Sequence, residues 1–425
     1  MKLVCALKDH PFSDTEETLG VVLYDGATTE NRGSVGGAIK YQIVRDKLVP
    51  AARAWDFLSL ALSVTAADLA GHRSESPDGW TREFELEVAV VDPVFWNSQR
   101  EFVNHLLGFL TTDKWQVGFL GGGIHPTPDP EPGRPIEDSV VLLSGGLDSL
   151  VGAIDLVAAG HRPVAVSHTV RGDAENQRHF AQVIGGGLRH LQINHNAQVP
   201  DPETPPSQRA RSLIFLACGV LAATALERYH AGEGVTLYVC ENGFISINPP
   251  LTDARLGSLS TRTTHPEFLG LVQELLNAAG LRVRIENPYQ VKTKGEMLKE
   301  CEDQDLLLAN AIRSISCGRY KHFGYKHCGR CVPCLVRRAA FLKSGVEDDT
   351  EYIYEHLGRD DEDHSGFDDV RSVAMAILEV RASGIQDWVG TALSTAALGD
   401  VQTLEAMVCR GLEELDSLLK AHGVK

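Results

Sequence analysis

From residue 139 to about residue 300 the chain alternates short β-branched runs with stretches whose apolar positions recur at helical spacing. The runs SVVLLS, PVAVSH, HLQINH, TLYVCEN and LRVRIEN read as five buried strands. Helical segments between them predict a doubly wound α/β unit, a five-stranded parallel sheet covered on both faces and joined by right-handed crossovers. Residues 1–120 mix strand patterns (KLVCAL, LGVVLY, EFELEVAVV) with helical ones (ARAWDFLSLALSVTAADLAG, DPVFWNSQREFVNHLLGFL). That mixture predicts an N-terminal α+β accessory domain.

Gly and Pro crowd residues 121–138, which predicts a linker. The main unit then occupies 139–345. Over residues 347–369 eleven carboxylates face one arginine. Segment 346–369 therefore reads as a solvated acidic connector, with metal binding as the alternative. Residues 370–425 carry apolar positions at helical spacing and read as a helical C-terminal segment that packs on another part of the chain. No internal repeat is visible.

Composition narrows the chemistry. The 425 residues, 43% hydrophobic and 23% charged, suit two or three packed units. A formal charge of -17 argues against broad nucleic-acid binding, which rewards clustered Lys and Arg, and leaves a nucleotide-sized ligand open. The first residues lack a signal peptide's apolar core and no apolar run reaches membrane length, so a cytoplasmic protein is expected. Of the 9 cysteines, Cys317, Cys328, Cys331 and Cys334 fall together, as reduced thiolates on a metal would.

Two stretches carry the chemistry. In SVVLLSGGLDSLVGAIDLVAAG the strand stops at two glycines and a helix starts at once, with Gly160 as its stop. Gly145 and Gly146 would let backbone approach a ligand, while Ser144, Ser149 and the N–H groups around Leu147 face outward in the positive end of the helix dipole. Such a turn suits a phosphate. It is neither a Walker A loop nor a Gly-x-Gly-x-x-Gly turn. Asp148 makes sense there with Mg²⁺, which a carboxylate can hold against pyrophosphate; a plain βα turn capped by Asp or Ser is the alternative. The second stretch is SCGRYKHFGYKHCGRCVPC, whose four cysteines can enclose one tetrahedral Zn²⁺. An iron–sulfur cluster, or His322 or His327 replacing one thiolate, are the alternatives.

The hexapeptide SGGLDS after a strand resembles the pyrophosphatase loop of the N-type ATP pyrophosphatases, which adenylate a substrate and release pyrophosphate. Three further stretches resemble the 7-cyano-7-deazaguanine synthases (QueC) within that group: Gln177-Arg178-His179, the turn with Pro288 ahead of Thr293-Lys294, and Ser-Cys with Cys-Gly-x-Cys-x-x-Cys followed by Arg337 or Arg338. The resemblance covers about residues 138–345. It implies an adenine nucleotide α-hydrolase-like fold, ATP, Mg²⁺ and Zn²⁺ as cofactors, and Lys294 stabilising charge on the α-phosphate. The substrate implied is 7-carboxy-7-deazaguanine, adenylated and then attacked by ammonia, with a second ATP dehydrating the amide to a nitrile.

The flanks 1–120 and 347–425, and the segment ENGFISINPPLTDARLGSLSTRTTHPEF, depart from the compact family pattern. The enlarged layout resembles QueC-like proteins of antiphage operons, QatC and the QueC-like component of a cyclic-nucleotide defence system among them. For this layout the expected acceptor is an amine of a partner protein. A tRNA thiolase and a non-catalytic nucleotide sensor are the other classes kept open. Ligands of open α/β sheets lie outside the carboxyl ends of the strands. Those ends supply Ser144, Ser167 to Arg171, Asn194 to Asn196, Glu241, Asn242 and Asn287. Arg209, Arg211 and Arg262 are candidate partners for a carboxylate or phosphate, as is Arg178.

Overall fold

A computed structural model describes residues 1–13, 17–27, 29–169, 172–204, 207, 209–252, 262–358, 369–393 and 400–424. Two predicted features fall outside these residues: Arg171, and residues 359–368 of the acidic connector. Part of the enlarged segment, 253–261, does so as well.

The N-terminal strands β1 (Lys2–Ala6), β2 (Thr18–Leu23), β3 (Gly33–Val35), β4 (Glu83–Ala89) and β5 (Lys114–Leu120) form one sheet in the order β3-β2-β1-β4-β5. Every pairing in it is parallel. This corrects the expected α+β unit to an α/β one. Two strands absent from the sequence reading make the difference. β5 alternates buried Trp115, Val117 and Phe119 with exposed positions, and β3 is three residues long. Helices α1 (Gly37–Arg45) and α2 (Ala52–Ala70) carry the chain from β3 to β4, while α3 (Pro93–Ser98) and α4 (Arg100–Thr111) carry it from β4 to β5.

The second sheet holds β6 (Ser139–Leu142), β7 (Pro163–His168), β8 (His190–Ile193), β9 (Val235–Tyr238) and β10 (Val283–Glu286), all parallel, in the order β10-β9-β6-β7-β8. Its helices include α5 (Leu147–Ala158), α6 (Ala174–Val183) and α7 (Arg211–Thr224), then α8 (Glu227–His230) and α9 (Gly243–Ile247). The order reverses between β6 and β9, so the chain leaves neighbouring strand ends in opposite directions and opens a crevice there. The β6 end leads into Ser144-Gly145-Gly146 and the β9 end into Glu241-Asn242.

The two sheets are not separate beads. Helices α2 and α7 are apolar on nearly every side because each packs on its own sheet and on the other helix. Trp55, Phe57, Leu213 and Ile214 thus belong to one core. The sheet edges also meet: Ser34 and Gln198 exchange backbone hydrogen bonds of 2.8 and 2.9 Å, and the Gly36 N–H donates to the His195 carbonyl at 2.7 Å. Residues 121–138 run between the units without helix or strand, apart from a single bridge between Leu48 and Gly133.

A second core gathers the C-terminal helices Asp369–Ser383, Ile385–Leu393 and Val401–Ala421 against the helix Val332–Ser344 and α9. Val401–Ala421 lies close enough to α9 that Gly411 has no room for a Cβ beside the Phe244 ring.

Between α2, β4 and β5 lies a buried charge network. Arg82 pairs with Asp68 and Asp113 at 2.6 Å each, and Arg209 approaches Asp113 at 3.8 Å. Removing the central cation leaves two carboxylates buried without it, which costs far more than the pair's net worth. Arg82→Met should therefore destabilise the protein by about 3–5 kcal/mol, measured by denaturant unfolding; a loss below about 1 kcal/mol, the range of exposed pairs, would contradict the network's role.

Candidate active site

The β6 run ends in a turn that its sequence dictates. Gly145 sits at φ 89°, a left-handed conformation that side chains resist, and Gly146 caps α5 in an extended conformation. Within the turn the Gly146 N–H donates to Ser144 Oγ at 3.2 Å, the two serine hydroxyls of Ser144 and Ser149 lie 3.0 Å apart, and Ser149 Oγ donates to the Gly146 carbonyl at 3.0 Å. The side chains thus lock the turn internally and leave the first N–H groups of α5, beginning with that of Leu147, without an intrahelical acceptor. From the β7 side, fully buried Gln177 donates Nε2 to the carbonyls of Ser144 and His168 at 3.1 and 3.3 Å. Of the Gln-Arg-His tripeptide, Gln177 braces the turn, His179 bonds Asn310 at 2.7 Å, and Arg178 reaches Gln192 at 3.5 Å on the exposed side.

Asp148 points from the first turn of α5 into the crevice, where three elements meet. Lys294 Nζ lies 2.8 Å from Asp148 Oδ1, and both side chains are buried. Asn242 donates Nδ2 to Asp148 Oδ2 at 2.7 Å and to Glu241 Oε1 at 3.1 Å, while its own Oδ1 caps α9 by accepting from the Ile245 N–H. Asn287, from the turn after β10, clamps the Glu241 backbone with Nδ2 on its carbonyl at 2.8 Å. Burial alone would raise the Asp148 carboxyl, yet the Lys294 ammonium and hydrogen bonds from Glu241, Lys294 and Asn242 hold it at about 2. Glu241 goes the other way: burial, then the Asp148 charge beside it, push its carboxyl well above the usual range. Of the two carboxyls Glu241 is thus the one whose ionisation is disfavoured.

Beside this cluster opens a cavity of about 340 Å³ lined by Ser144, Ser149, Arg211, Phe215, Glu241 and Thr263 among others. Phe215 and Leu216 make part of its wall apolar, and Ser144, Ser149, Arg211 and Glu241 make part of it polar, which suits a flat heterocycle carrying charged substituents. Arg211 stands 3.6 Å from Asp173 at its edge. Next to that wall His168 and His195 stack, with ring nitrogens 2.5 Å apart, and burial lowers them to about 3 and about 4. Both imidazoles are therefore neutral at neutral pH.

Two candidate arginines lie elsewhere. Arg209 donates to the Thr111 carbonyl at 2.6 Å within the buried network around Asp113, and Arg262 donates to the Phe109 carbonyl at 3.1 Å with its guanidinium over the Phe109 ring. Both bind the main unit to α4 instead of lining the cavity. Asp173 and Glu414 contribute here without having been singled out from the sequence.

The four cysteines converge. The sulfurs of Cys317, Cys328, Cys331 and Cys334 lie within 4.8 Å of one another and all four residues are buried. Four soft thiolates in that space fit a tetrahedral Zn²⁺. His327 is engaged otherwise, its Nε2 accepting from the Ser316 N–H at 3.2 Å. The cluster touches the pyrophosphate-type turn through one bond: the Ile315 N–H, two residues before Cys317, donates to the Gly145 carbonyl at 3.0 Å. Arg337, fully buried, secures the same strip by donating to the carbonyls of Ser314 and Ala311 and to Thr350 Oγ1.

Fold and site together define a doubly wound α/β protein with a glycine-built turn at its switch point and, behind that turn, four cysteines that could hold a metal ion. The sequence profile of the family described as "QueC: Queuosine biosynthesis protein QueC" matches residues 263–345. Among curated proteins, the 7-cyano-7-deazaguanine synthase of Methanocaldococcus jannaschii is 25% identical over 238 residues, 51% of this chain and 99% of the relative. That of Thiobacillus denitrificans is 26% identical over 241 residues, 50% of this chain and 97% of the relative. The Novosphingobium aromaticivorans enzyme of the same name is 30% identical over 258 residues, 53% of this chain and 98% of the relative. The chain belongs to the QueC family.

Purified protein should carry one zinc per chain by elemental analysis, and Cys328→Ser should remove most of it. Because binding of a structural metal by four thiolates contributes directly to folding free energy, the same variant should lose several kcal/mol of stability. A visible iron–sulfur absorption, or full zinc content in the variant, would contradict this assignment.

Proposed function

We propose that this protein uses ATP to adenylate the carboxylate of 7-carboxy-7-deazaguanine and transfers the acyl group to an amine, forming an amide. The observation that carries the reading is the convergence, at the switch point, of the Ser144-Gly145-Gly146 turn with Asp148 and Lys294. The relatives' shared name, 7-cyano-7-deazaguanine synthase, supports the choice of base.

In the first step a carboxylate oxygen of the base attacks the α-phosphorus; the bond from that phosphorus to the bridging oxygen breaks and pyrophosphate leaves. The N–H groups at the start of α5 and the Ser144 and Ser149 hydroxyls accept the leaving pyrophosphate. Lys294, held in line by Asp148, faces the negative charge that builds on the α-phosphoryl oxygens. Asp148 is the residue that would help hold Mg²⁺, which supplies charge neutralisation for the triphosphate. In the second step an amine attacks the acyl carbon, the acyl–oxygen bond to AMP breaks, and the nitrogen loses a proton. Arg211 and Thr263, at the cavity edge, are placed to orient the base, whose ring would lie along Phe215.

In this reading the acceptor is an amine of a partner protein, as in the defence-type layout, because half of the chain lies outside the matches to the compact synthases. The second reading is ammonia as acceptor followed by dehydration to the nitrile, which the relatives' name favours.

With ATP, Mg²⁺ and the carboxy base, AMP and pyrophosphate should form in equal amounts, and Lys294→Ala should slow AMP release by about 10²–10³-fold, as loss of a preorganised charge-stabilising donor does. ADP with phosphate as products would sink the adenylation. Intact mass spectrometry with proteins encoded alongside separates the acceptors: a protein adduct supports conjugation, and free nitrile without an adduct supports the synthase reading.

A further inference from the structure

Lys294 is the first residue of the helix Lys294–Glu300, and the segment on either side of it is gripped by a residue far away in sequence. Glu414, buried on the C-terminal helix Val401–Ala421, accepts a hydrogen bond from Thr293 Oγ1 at 2.5 Å and another from the Gly295 N–H. Thr293 is the N-cap of the lysine's helix: its Oγ1 also accepts from the Glu296 N–H at 3.1 Å, and the Glu296 carboxylate returns to the Thr293 N–H at 2.8 Å. Gly295 makes the approach feasible, since a Cβ there would lie 2.6 Å from the Glu414 carboxylate.

One turn earlier on the same C-terminal helix, Arg410 pairs with Glu296 at 2.6 Å and donates to the Val291 carbonyl at 2.9 Å. On the same face of the helix Met407 reaches Gly243, the residue after Asn242, and Gly411 reaches Phe244. One helix thus bears on both parts of the cluster that hold Asp148.

We propose that Glu414 is a positioning residue for Lys294, fixing the backbone on both sides of the lysine so that its ammonium points at the reacting phosphoryl group. This rests on the role assigned to Lys294 above. The groups around the carboxyl are Thr293, Gly295 and Glu296 of the lysine's helix, Lys343 of the helix Val332–Ser344, and Arg410 through its pair with Glu296. Burial, partly offset by those hydrogen bonds, raises the Glu414 carboxyl from 4.5 to about 7. Between those values the native chain holds a proton that the unfolded chain has lost, so stability falls as the pH rises through that window. The ionised form, though disfavoured by burial, accepts those two hydrogen bonds more strongly and so tightens the grip above that window.

Four variants of the full chain test this by steady-state AMP release, ATP KM and thermal melting at several pH values. Glu414→Ala should lower kcat by about ten- to hundredfold, the scale of a small misplacement of a reacting group, with ATP KM within about threefold because the turn that holds the phosphates is untouched. Glu414→Gln keeps an acceptor oxygen for Thr293 and should restore much of kcat. It should also melt with a flatter pH dependence between 4.5 and about 7, and fall in kcat relative to the parent as the pH rises through about 7, since Gln cannot gain the stronger acceptor. Asp416→Asn, on the same helix as Glu414, breaks only surface pairs with Arg381 and Lys420 and should leave kcat unchanged.

Lys294→Ala separates the two readings. If it releases AMP at the parental rate, the role of Lys294 fails, and this proposal with it. If it is inactive while Glu414→Ala is fully active, only the positioning role fails. Should Glu414→Ala not fold, Glu414→Gln decides: a kcat–pH profile and melting curve identical to the parent's would overturn the proposal.

Discussion

A carboxylate buried in the first turn of a helix, between two other strand ends, must find a cation or give up its charge, and Asp148 finds Lys294 at 2.8 Å. That ion pair ties the β6 turn to the turn after β10, on opposite sides of β9, and Asn242 fills the remaining acceptor capacity from the β9 side. The surroundings follow from this requirement. Asn287 fixes the Glu241 backbone, the capping box of Thr293 and Glu296 fixes the lysine's helix, and Ile315 bonds the Gly145 carbonyl from the cysteine cluster. The crevice between β6 and β9 is thus closed at its floor by an electrostatic knot and open above it, toward the cavity that Phe215 and Arg211 line.

Seen from that knot, the parts beyond the compact synthase pattern serve as scaffold. The N-terminal sheet shares its core with the main one through α2 and α7, and its Ser34–Gln198 and Gly36–His195 bonds hold the loop after β8, which carries His195 against His168. The C-terminal helix packs under α9 and the lysine's helix at two glycines, Gly411 and Gly295, where side chains would collide. Neither flank is a loosely tethered appendage, so changes in either reach the cavity walls through short, rigid contacts.

The main sheet was legible because β-branched runs at regular spacing are a local signal: PVAVSH matches β7 residue for residue, and Gly160 ends α5 as expected, at φ 89°. The cysteine cluster was legible for the same reason, its ligands being close in sequence. The N-terminal sheet was not. β3 is too short to show a period, and without β3 and β5 the remaining strands could not declare their direction. Arg209 and Arg262 show a different limit. An arginine's sequence neighbours do not reveal its partner, and here the partners are the carbonyls of Thr111 and Phe109, about a hundred residues or more away in the chain. Glu414 was illegible for a related reason, since one more glutamate on an amphipathic acidic helix carries no mark of being buried.

The charge state of the knot bears on what it can receive. Lys294 and Asp148 cancel, and burial and the Asp148 charge both disfavour ionisation of Glu241, which keeps the net charge of the crevice floor low. Such a floor neither repels nor strongly attracts a triphosphate. The Walker type of site differs, since there a lysine reaches the β/γ-phosphates. In the proposed reaction the anion's charge is therefore met chiefly by the N–H groups at the start of α5 and by cations that arrive with the nucleotide. Lys294 is freed for the one place where charge grows as the α-phosphorus is attacked. In the proposed reaction, reserving Lys294 for the transition state while the nucleotide brings its own counter-charge would favour adenylation over simple tight binding.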